Sequence, residues 1–269
     1  MAIDTRDKLI AALAAGQVID FYRLSLTAEA VPSFHSLWKG TGNPAAGANP
    51  PAYTAGSGYI PTRTTLGGLQ QLDAVSGDNK LLQMSMSCST AGKLILYDRV
   101  WACSGLTTAG TNPTTLNVTT PGNITRPADW LGLQIWGEVY TAPGATGSVW
   151  TVAYVDSADG AQTAPYTHPA NAETAGQMFR FVQASPELGV KSITSLTTTV
   201  SSGTAGNIGI TVLKKLAEFP CTLINTGDSL DAFFLGMPTI PADACVAAMV
   251  VDSTTNTGIW SGSLVIGSG

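Results

Sequence analysis

The chain has 269 residues, of which 44% are hydrophobic and 12% are charged, and its formal net charge is −5. The length and the hydrophobic share are typical of a globular protein with one large or two small cores. The longest basic run is Lys214-Lys215, and no apolar run approaches the length of a membrane span. This composition argues against nucleic acid as a direct partner and against a transmembrane helix.

The surface composition favours a subunit of an assembly. Charged residues are about half as frequent as in average soluble proteins, which usually cover themselves with Lys, Glu, Asp and Arg. This chain is instead rich in Thr, Ser, Gly, Ala and Asn. We expect a protein that packs against copies of itself or against other subunits.

The N-terminus predicts a short helix within residues 1–16. Asp4 or Thr5 can cap it, apolar residues such as Leu9 and Leu13 recur at helical spacing, and Gly16 ends it. A helix this short needs a docking surface, either on its own domain or on a neighbouring subunit. The mixed charges of the first residues do not match a signal peptide.

Residues 40–68 predict a long irregular arm. Pro and Gly are too dense there for a helix or a central strand. Long structureless loops are often functional, so one interpretation is an arm that lies across a neighbouring subunit, and the alternative is a self-packed surface loop. The intersubunit contact residues predicted here are Asn43, Pro44, Pro50, Pro51, Tyr53 and Tyr59.

The centre of the sequence is a turn and long strand over residues 89–101, with Thr90-Ala91-Gly92 ahead of alternating apolar residues. The same pattern recurs after Thr204-Ala205-Gly206, at an offset of 204 − 90 = 114. Pro-Ala-Asp opens apolar runs at Pro127 and again at Pro241, with the same offset. Each run leads to a strand that carries a Trp. The repeats predict a tandem duplication, and two generic hairpins are the alternative.

The predicted fold is all-β, with two tandem β-sandwiches of jelly-roll or Greek-key type. The first sandwich covers residues 17–165 and includes the arm, and the second covers residues 166–269. Residues 156–175 are polar and are predicted to link the copies. Residues 230–235 fit a short helix or a strand. A parallel α/β fold is excluded because crossover helices are missing from the pattern.

We find no catalytic, cofactor or metal motif in the sequence, and therefore predict no enzyme, no cofactor and no metal. His35 and His168 are the two histidines, and neither lies in a recognisable triad or ligand pattern. Cys88, Cys103, Cys221 and Cys245 show no C-x-x-C spacing, and we expect buried, reduced thiols. A Cys88–Cys103 disulfide across the predicted hairpin is the alternative.

Three segments resemble structural proteins of tailed bacteriophages: residues 5–16, 38–47 and 94–101. The resemblance implies a virion component that is made in the host bacterial cytoplasm, and it carries over no functional residue. Together with the composition, it predicts a capsid decoration or cement protein that binds the major capsid protein. A homotrimer of two-domain chains would contain six similar domains and could form a pseudo-sixfold ring.

Two other functions remain open at the level of sequence. One is a tail or neck component, which would share the same composition. The other is a carbohydrate-binding fibre protein for host recognition, which would be favoured by exposed aromatic residues. Five of the Trp residues fall in predicted strands and are expected in the core: Trp101, Trp130, Trp136, Trp150 and Trp260.

Overall fold

A computed structural model describes residues 3–26, 32–52, 58–69, 71, 79–109, 114–115, 124–170, 173–186, 188–253, 255 and 258–268. Strands dominate these residues, which confirms the all-β prediction. The strands are β1 Gln17–Leu24, β2 Phe34–Ser36, β3 Gly42–Asn43, β4 Asn79–Cys88, β5 Gly92–Leu106, β6 Thr114–Thr115, β7 Leu133–Thr141, β8 Ser148–Val155, β9 Ala161–His168, β10 Gln177–Arg180, β11 Ser192–Thr198, β12 Asn207–Cys221, β13 Asp228–Leu230, β14 Thr239–Ile240, β15 Val246–Asp252 and β16 Ile259–Ser268. The helices are α1 Arg6–Ala14 and α2 Ala232–Leu235.

Helix α1 begins as the sequence predicts. Thr5 is the N-cap, and its side chain accepts a hydrogen bond from the backbone N–H of Lys8. The helix packs against β16 of its own chain through buried Ala12. A Cβ at Gly267 would lie 2.7 Å from the Ala12 carbonyl oxygen, so glycine permits this close packing.

The strands form two open sheets and one closed barrel. The first sheet has the order β13–β4–β16–β1–β3, and β14 also pairs with β4. The second sheet has the order β6–β11–β8–β9. The barrel has the order β10–β2–β15–β5–β12–β7 and was not predicted from the sequence.

The chain divides into two compact units. Unit 1 comprises residues 1–48, 62–98 and 216–269, and unit 2 comprises residues 49–61 and 99–215. This division differs from the consecutive domains predicted over 17–165 and 166–269. The reason is that β5 and β12 are each 15 residues long and contribute one part to each unit.

Each unit combines strands from both predicted copies. In unit 1, β4 pairs with β16, and in unit 2, β11 pairs with β8. Trp260 is opposite Cys88 in the first pair, and Trp150 is opposite Thr198 in the second. Trp260 lies 260 − 150 = 110 positions after Trp150, and Thr198 lies 198 − 88 = 110 positions after Cys88. The two sheets therefore share one strand register.

Each unit has a hydrophobic core of its own. The unit 1 core includes Phe21, Leu96, Phe219 and Trp260, and the unit 2 core includes Trp101, Trp150, Phe179 and Ile210, together with other buried side chains. Because strand side chains alternate between faces, the long strands can supply apolar residues to these cores and polar residues elsewhere.

Three sequence expectations are wrong in this structure. The cysteines are not all reduced: Cys88 at the end of β4 forms a disulfide with Cys221 at the end of β12, while Cys103 and Cys245 are free and buried. The Cys88–Cys103 alternative is wrong for the same reason. The hairpin predicted between these two strands is also wrong, because β4 pairs with β16 and β13, whereas β5 pairs with β15. The predicted linker over 156–175 contains β9, whose eight residues pair with β8. Its alternation was hidden by Pro165, which a strand tolerates at a sheet edge.

Candidate functional site

The described part of the arm packs on its own chain. Asn43 lies in β3 and is exposed, and Pro51 is also exposed. Pro44 and Tyr59 are half-buried, and Pro50 is buried. The Ser104 hydroxyl donates to the Pro50 carbonyl oxygen at 2.5 Å. The self-packed alternative therefore accounts for these contacts, and the intersubunit role of the arm stays a prediction. Tyr53 lies outside the described residues.

Buried Arg23 holds the two ends of the arm in unit 1. Its guanidinium donates to the carbonyl oxygens of Gly40 at 2.8 Å and Gly68 at 3.4 Å. Burial lowers the pKa of Arg23 to about 10. The position of the arm thus depends on a side chain from β1.

A buried ionic cluster lies in unit 2. Arg99 Nη2 is 2.7 Å from Glu138 Oε2, and their side chains are 2% and 1% exposed. The Tyr140 hydroxyl donates to Glu138 at 2.8 Å and accepts from Arg99 at 2.8 Å. Burial raises the pKa of Tyr140 well above its usual value. Burial alone would lower the pKa of Arg99, but the adjacent Glu138 reverses this effect and raises it.

A second buried cluster surrounds His168, also in unit 2. The Tyr166 hydroxyl donates to Glu173 Oε1 at 2.7 Å, and His168 Nε2 lies 3.5 Å from Glu173 Oε2. The His168 ring stacks on Trp150 with centroids 4.3 Å apart, and Tyr166 stacks on Phe179 at 4.1 Å. Burial raises the pKa of Glu173 to about 7 and lowers the pKa of His168.

These two clusters serve packing better than catalysis. General acid–base work requires a titrating group within hydrogen-bond reach of a substrate. Arg99, Glu138, His168 and Glu173 are all enclosed by the protein. The Arg99–Glu138–Tyr140 cluster stabilises unit 2 by pairing polar groups that its strands bury.

The candidate site is a groove of about 530 Å³ in unit 1. We call it the serine groove, because serines from three strands line it. Its lining residues are Asp20, Ser85, Met86, Ser87, Gly227, Asp228, Ser229, Ser261, Gly262 and Ser263. They belong to β1, β4, β13 and β16 and to the residue that precedes β13. The volume lies within the range of about 300–1,000 Å³ that is usual for small-molecule sites, but the groove is shallow and open to solvent.

Strand pairing places the polar residues of the groove in a row. Ser229 is opposite Ser85, Ser85 is opposite Ser263, and Ser263 is opposite Asp20. Directly paired residues project from the same face of a sheet. One row of three hydroxyls and a carboxylate therefore crosses four neighbouring strands.

The two carboxylates of the groove are too far apart for paired acid catalysis. Asp228 is on β13 and Asp20 is on β1, which is three strands away. At about 4.8 Å per strand, this separation is about 14 Å. Glycosidase pairs need about 5–9.5 Å. Asp20 and Asp228 therefore do not form a paired-carboxylate site.

Unit 1 also exposes four large apolar side chains within residues 223–234, and we call the two that are adjacent in α2, Phe233 and Phe234, the apolar patch. Leu223 is 67% exposed, Ile224 is 54% exposed, and Phe233 and Phe234 in α2 are 81% and 82% exposed. Asp231 caps α2 by accepting hydrogen bonds from the backbone of both phenylalanines. The cap holds the two rings on a helical turn that leaves them in solvent.

None of the tryptophan side chains lines the serine groove, so the groove has no indole ring on which a ligand could stack. Trp101, Trp136, Trp150 and Trp260 are buried as predicted, whereas Trp130 is half-buried and lies beneath the ammonium group of Lys191 at 5.1 Å.

Among the described residues, no three His, Cys, Asp or Glu side chains are grouped to bind a metal ion. No helix in the described ranges is both long and apolar enough to span a membrane.

Comparison of the chain with protein-family models, with curated proteins and with solved structures finds no match.

Sequence reasoning missed both the serine groove and the apolar patch. Alternation already places Ser85 and Ser87 on one face of β4, and Ser261 and Ser263 on one face of β16. The missing information was the pairing of these two distant strands. For the patch, the Phe233-Phe234 pair resembles a core segment, and only the structure shows that both rings are exposed.

Proposed function

We propose that this protein is a structural component of a bacteriophage virion, of the capsid decoration or cement kind. The observation that carries the proposal is the apolar patch. Exposed Phe233 and Phe234 would each contribute about 1.5–3 kcal/mol when fully buried against a partner. Exposed apolar surface of this kind often marks a site of protein–protein interaction, and the two rings are adjacent in α2.

The partners we propose are the major capsid protein and further copies of this chain. The low share of charged residues supports this, since desolvating charge opposes association. The predicted contacts of the arm at Asn43 and Pro51 belong to the same proposal, because both residues are exposed.

We also propose that the chain arose by internal duplication with exchange of hairpins between the copies. The common register of β4–β16 and β11–β8 supports this. Two similar units per chain would let a homotrimer present six similar surfaces, which is the ring predicted from the repeats. We also propose that each of the two units is a β-sandwich.

The Cys88–Cys221 disulfide is compatible with a virion that leaves the reducing bacterial cytoplasm. A disulfide would stabilise the folded subunit in a particle outside the cell, where an unfolded subunit cannot be replaced.

The test measures the oligomeric state and the binding to heads. Light scattering on the eluting wild-type chain should show a trimer, and the chain should bind undecorated heads of its phage and raise their melting temperature. The Phe233→Ser/Phe234→Ser variant should elute as a monomer and should lose binding to heads.

The matched control is Val182→Ser/Val200→Ser, which removes two exposed apolar side chains from unit 2. It should leave both measurements unchanged. The proposal fails if the wild-type chain is monomeric and ignores heads, or if both double variants behave alike. Copy number in purified particles then separates a shell component, present in hundreds of copies, from a tail or neck component.

A further inference from the structure

We infer that the serine groove of unit 1 is a binding site for a neutral carbohydrate. This goes beyond the proposed assembly role, because the groove residues are distinct from those of the apolar patch.

The groove presents hydroxyl groups at a regular spacing. A second row runs beside the first: Ser87 is opposite Ser261, and Ser261 is opposite Tyr22. Neighbouring strands are about 4.8 Å apart, and each serine hydroxyl can both donate and accept a hydrogen bond. A ligand with many hydroxyl groups can match such an array, whereas an apolar ligand cannot.

The charge of the lining selects against anions. Asp20 and Asp228 are the charged residues that line the groove, and both are acidic. A phosphate, a sulfate or a nucleic acid would meet repulsion there. Sugar hydroxyls, in contrast, can donate hydrogen bonds to a carboxylate, and bonds to a charged acceptor are stronger than neutral ones.

Tyr22 places an aromatic side chain at one end of the second row. It is 43% exposed and lies on β1 next to Ser261. Its ring offers an apolar face against which the C–H side of a sugar can pack, while its hydroxyl stays available for hydrogen bonding. Tyr22 is not one of the lining residues, and the sheet therefore presents an aromatic group beside the hydroxyl and carboxylate groups of the groove.

The sheet of unit 2 repeats these features only in part. At the matching positions, Ser195 is opposite Ala153, and Ala153 is opposite Thr163. In the next row, Thr197 is opposite Thr151, and Thr151 is opposite Pro165. The two unit 2 rows therefore keep four hydroxyl groups, but Ala153 stands where unit 1 has Ser263, and Thr163 stands where unit 1 has the carboxylate of Asp20. The carboxylate is thus the feature that distinguishes the unit 1 sheet.

The experiment is calorimetric titration of the whole chain with maltotriose, cellotriose and triacetylchitotriose. Spermidine and inorganic phosphate serve as charged probes. At least one trisaccharide should bind at millimolar or lower concentration, and phosphate should not. The Ser85→Val variant should weaken that binding about tenfold, because it leaves a ligand hydroxyl without its partner.

The matched control is Ser195→Val, at the equivalent position of the unit 2 sheet. Valine suits a strand, so both variants should keep the melting temperature of the wild type. The inference is overturned if none of the three trisaccharides binds, if both serine variants weaken binding equally, or if spermidine or phosphate is the only probe that binds.

Discussion

The β13–β4–β16–β1–β3 sheet of unit 1 and the β6–β11–β8–β9 sheet of unit 2 share a strand register but present different surfaces. Trp260 and Trp150 occupy matching positions, and both are fully buried. On the opposite face, Ser263 in one sheet corresponds to Ala153 in the other. Packing constrains the buried face, whereas the solvent face is free to acquire a binding function.

The two units also differ in what stabilises them. Unit 1 contains the Cys88–Cys221 disulfide and the Arg23 contacts to the arm, and unit 2 contains the Arg99–Glu138–Tyr140 and His168–Glu173–Tyr166 clusters. A covalent link acts mainly on the unfolded chain, while a buried ionic cluster depends on its protonation and on its complete set of partners. The units should therefore respond differently to reductant, to mutation and to pH.

The largest effect should come from removing the disulfide. Cys88 and Cys221 are 133 residues apart in sequence, so reduction frees a long loop in the unfolded state. The Cys88→Ser/Cys221→Ser variant should lose about 5 kcal/mol of unfolding free energy in the loop-entropy estimate, as measured by urea denaturation.

Reductant supplies the control for this prediction. It should lower the melting temperature of the wild type and leave that of the double variant unchanged, because Cys103 and Cys245 are already free. Equal sensitivity of the two proteins to reductant would contradict a stabilising role for this bond.

The next largest effect should come from breaking the ion pair in unit 2. Arg99→Met leaves Glu138 buried without its cation, which should cost about 3–5 kcal/mol in urea denaturation. The control is Lys93→Met, which removes the exposed partner of Glu218 at 3.5 Å and should cost under about 1 kcal/mol. Similar costs for the two variants would show that burial does not distinguish these pairs.

The smallest effect should be the pH response of Glu173. Its pKa is about 7 in the folded protein and about 4.3 in an unfolded chain, so the folded state binds the proton more tightly. The contribution of Glu173 to stability is therefore present at low pH and is lost as the pH rises toward 7. His168 acts in the opposite direction, because its pKa is lowered on folding.

The Glu173→Gln variant isolates this contribution. Its unfolding free energy should match that of the wild type near pH 4 and exceed it by about 3 kcal/mol at pH 8, as measured by denaturation at each pH. Glu218→Gln is the exposed control, and its difference from the wild type should change little with pH. A constant difference for Glu173→Gln across the range would contradict the raised pKa.

Local patterns were sufficient to predict much of the fold. Capping chemistry predicted the Thr5 cap of α1. The β-propensity of the apolar runs predicted the strands that contain Trp101 and Trp150 and the burial of both side chains. These features depend on residues that are close in sequence, where period and propensity carry the information.

Only the tertiary structure decided which strands pair and which faces remain in solvent. β4 pairs with β16, almost two hundred residues later in the chain, and Cys88 bonds to Cys221 rather than to Cys103. The serine groove exists because Ser85 and Ser263 become neighbours through that pairing. Alternation determines the two faces of each strand, but it does not specify the partner strand, so long-range contacts alone determined the site.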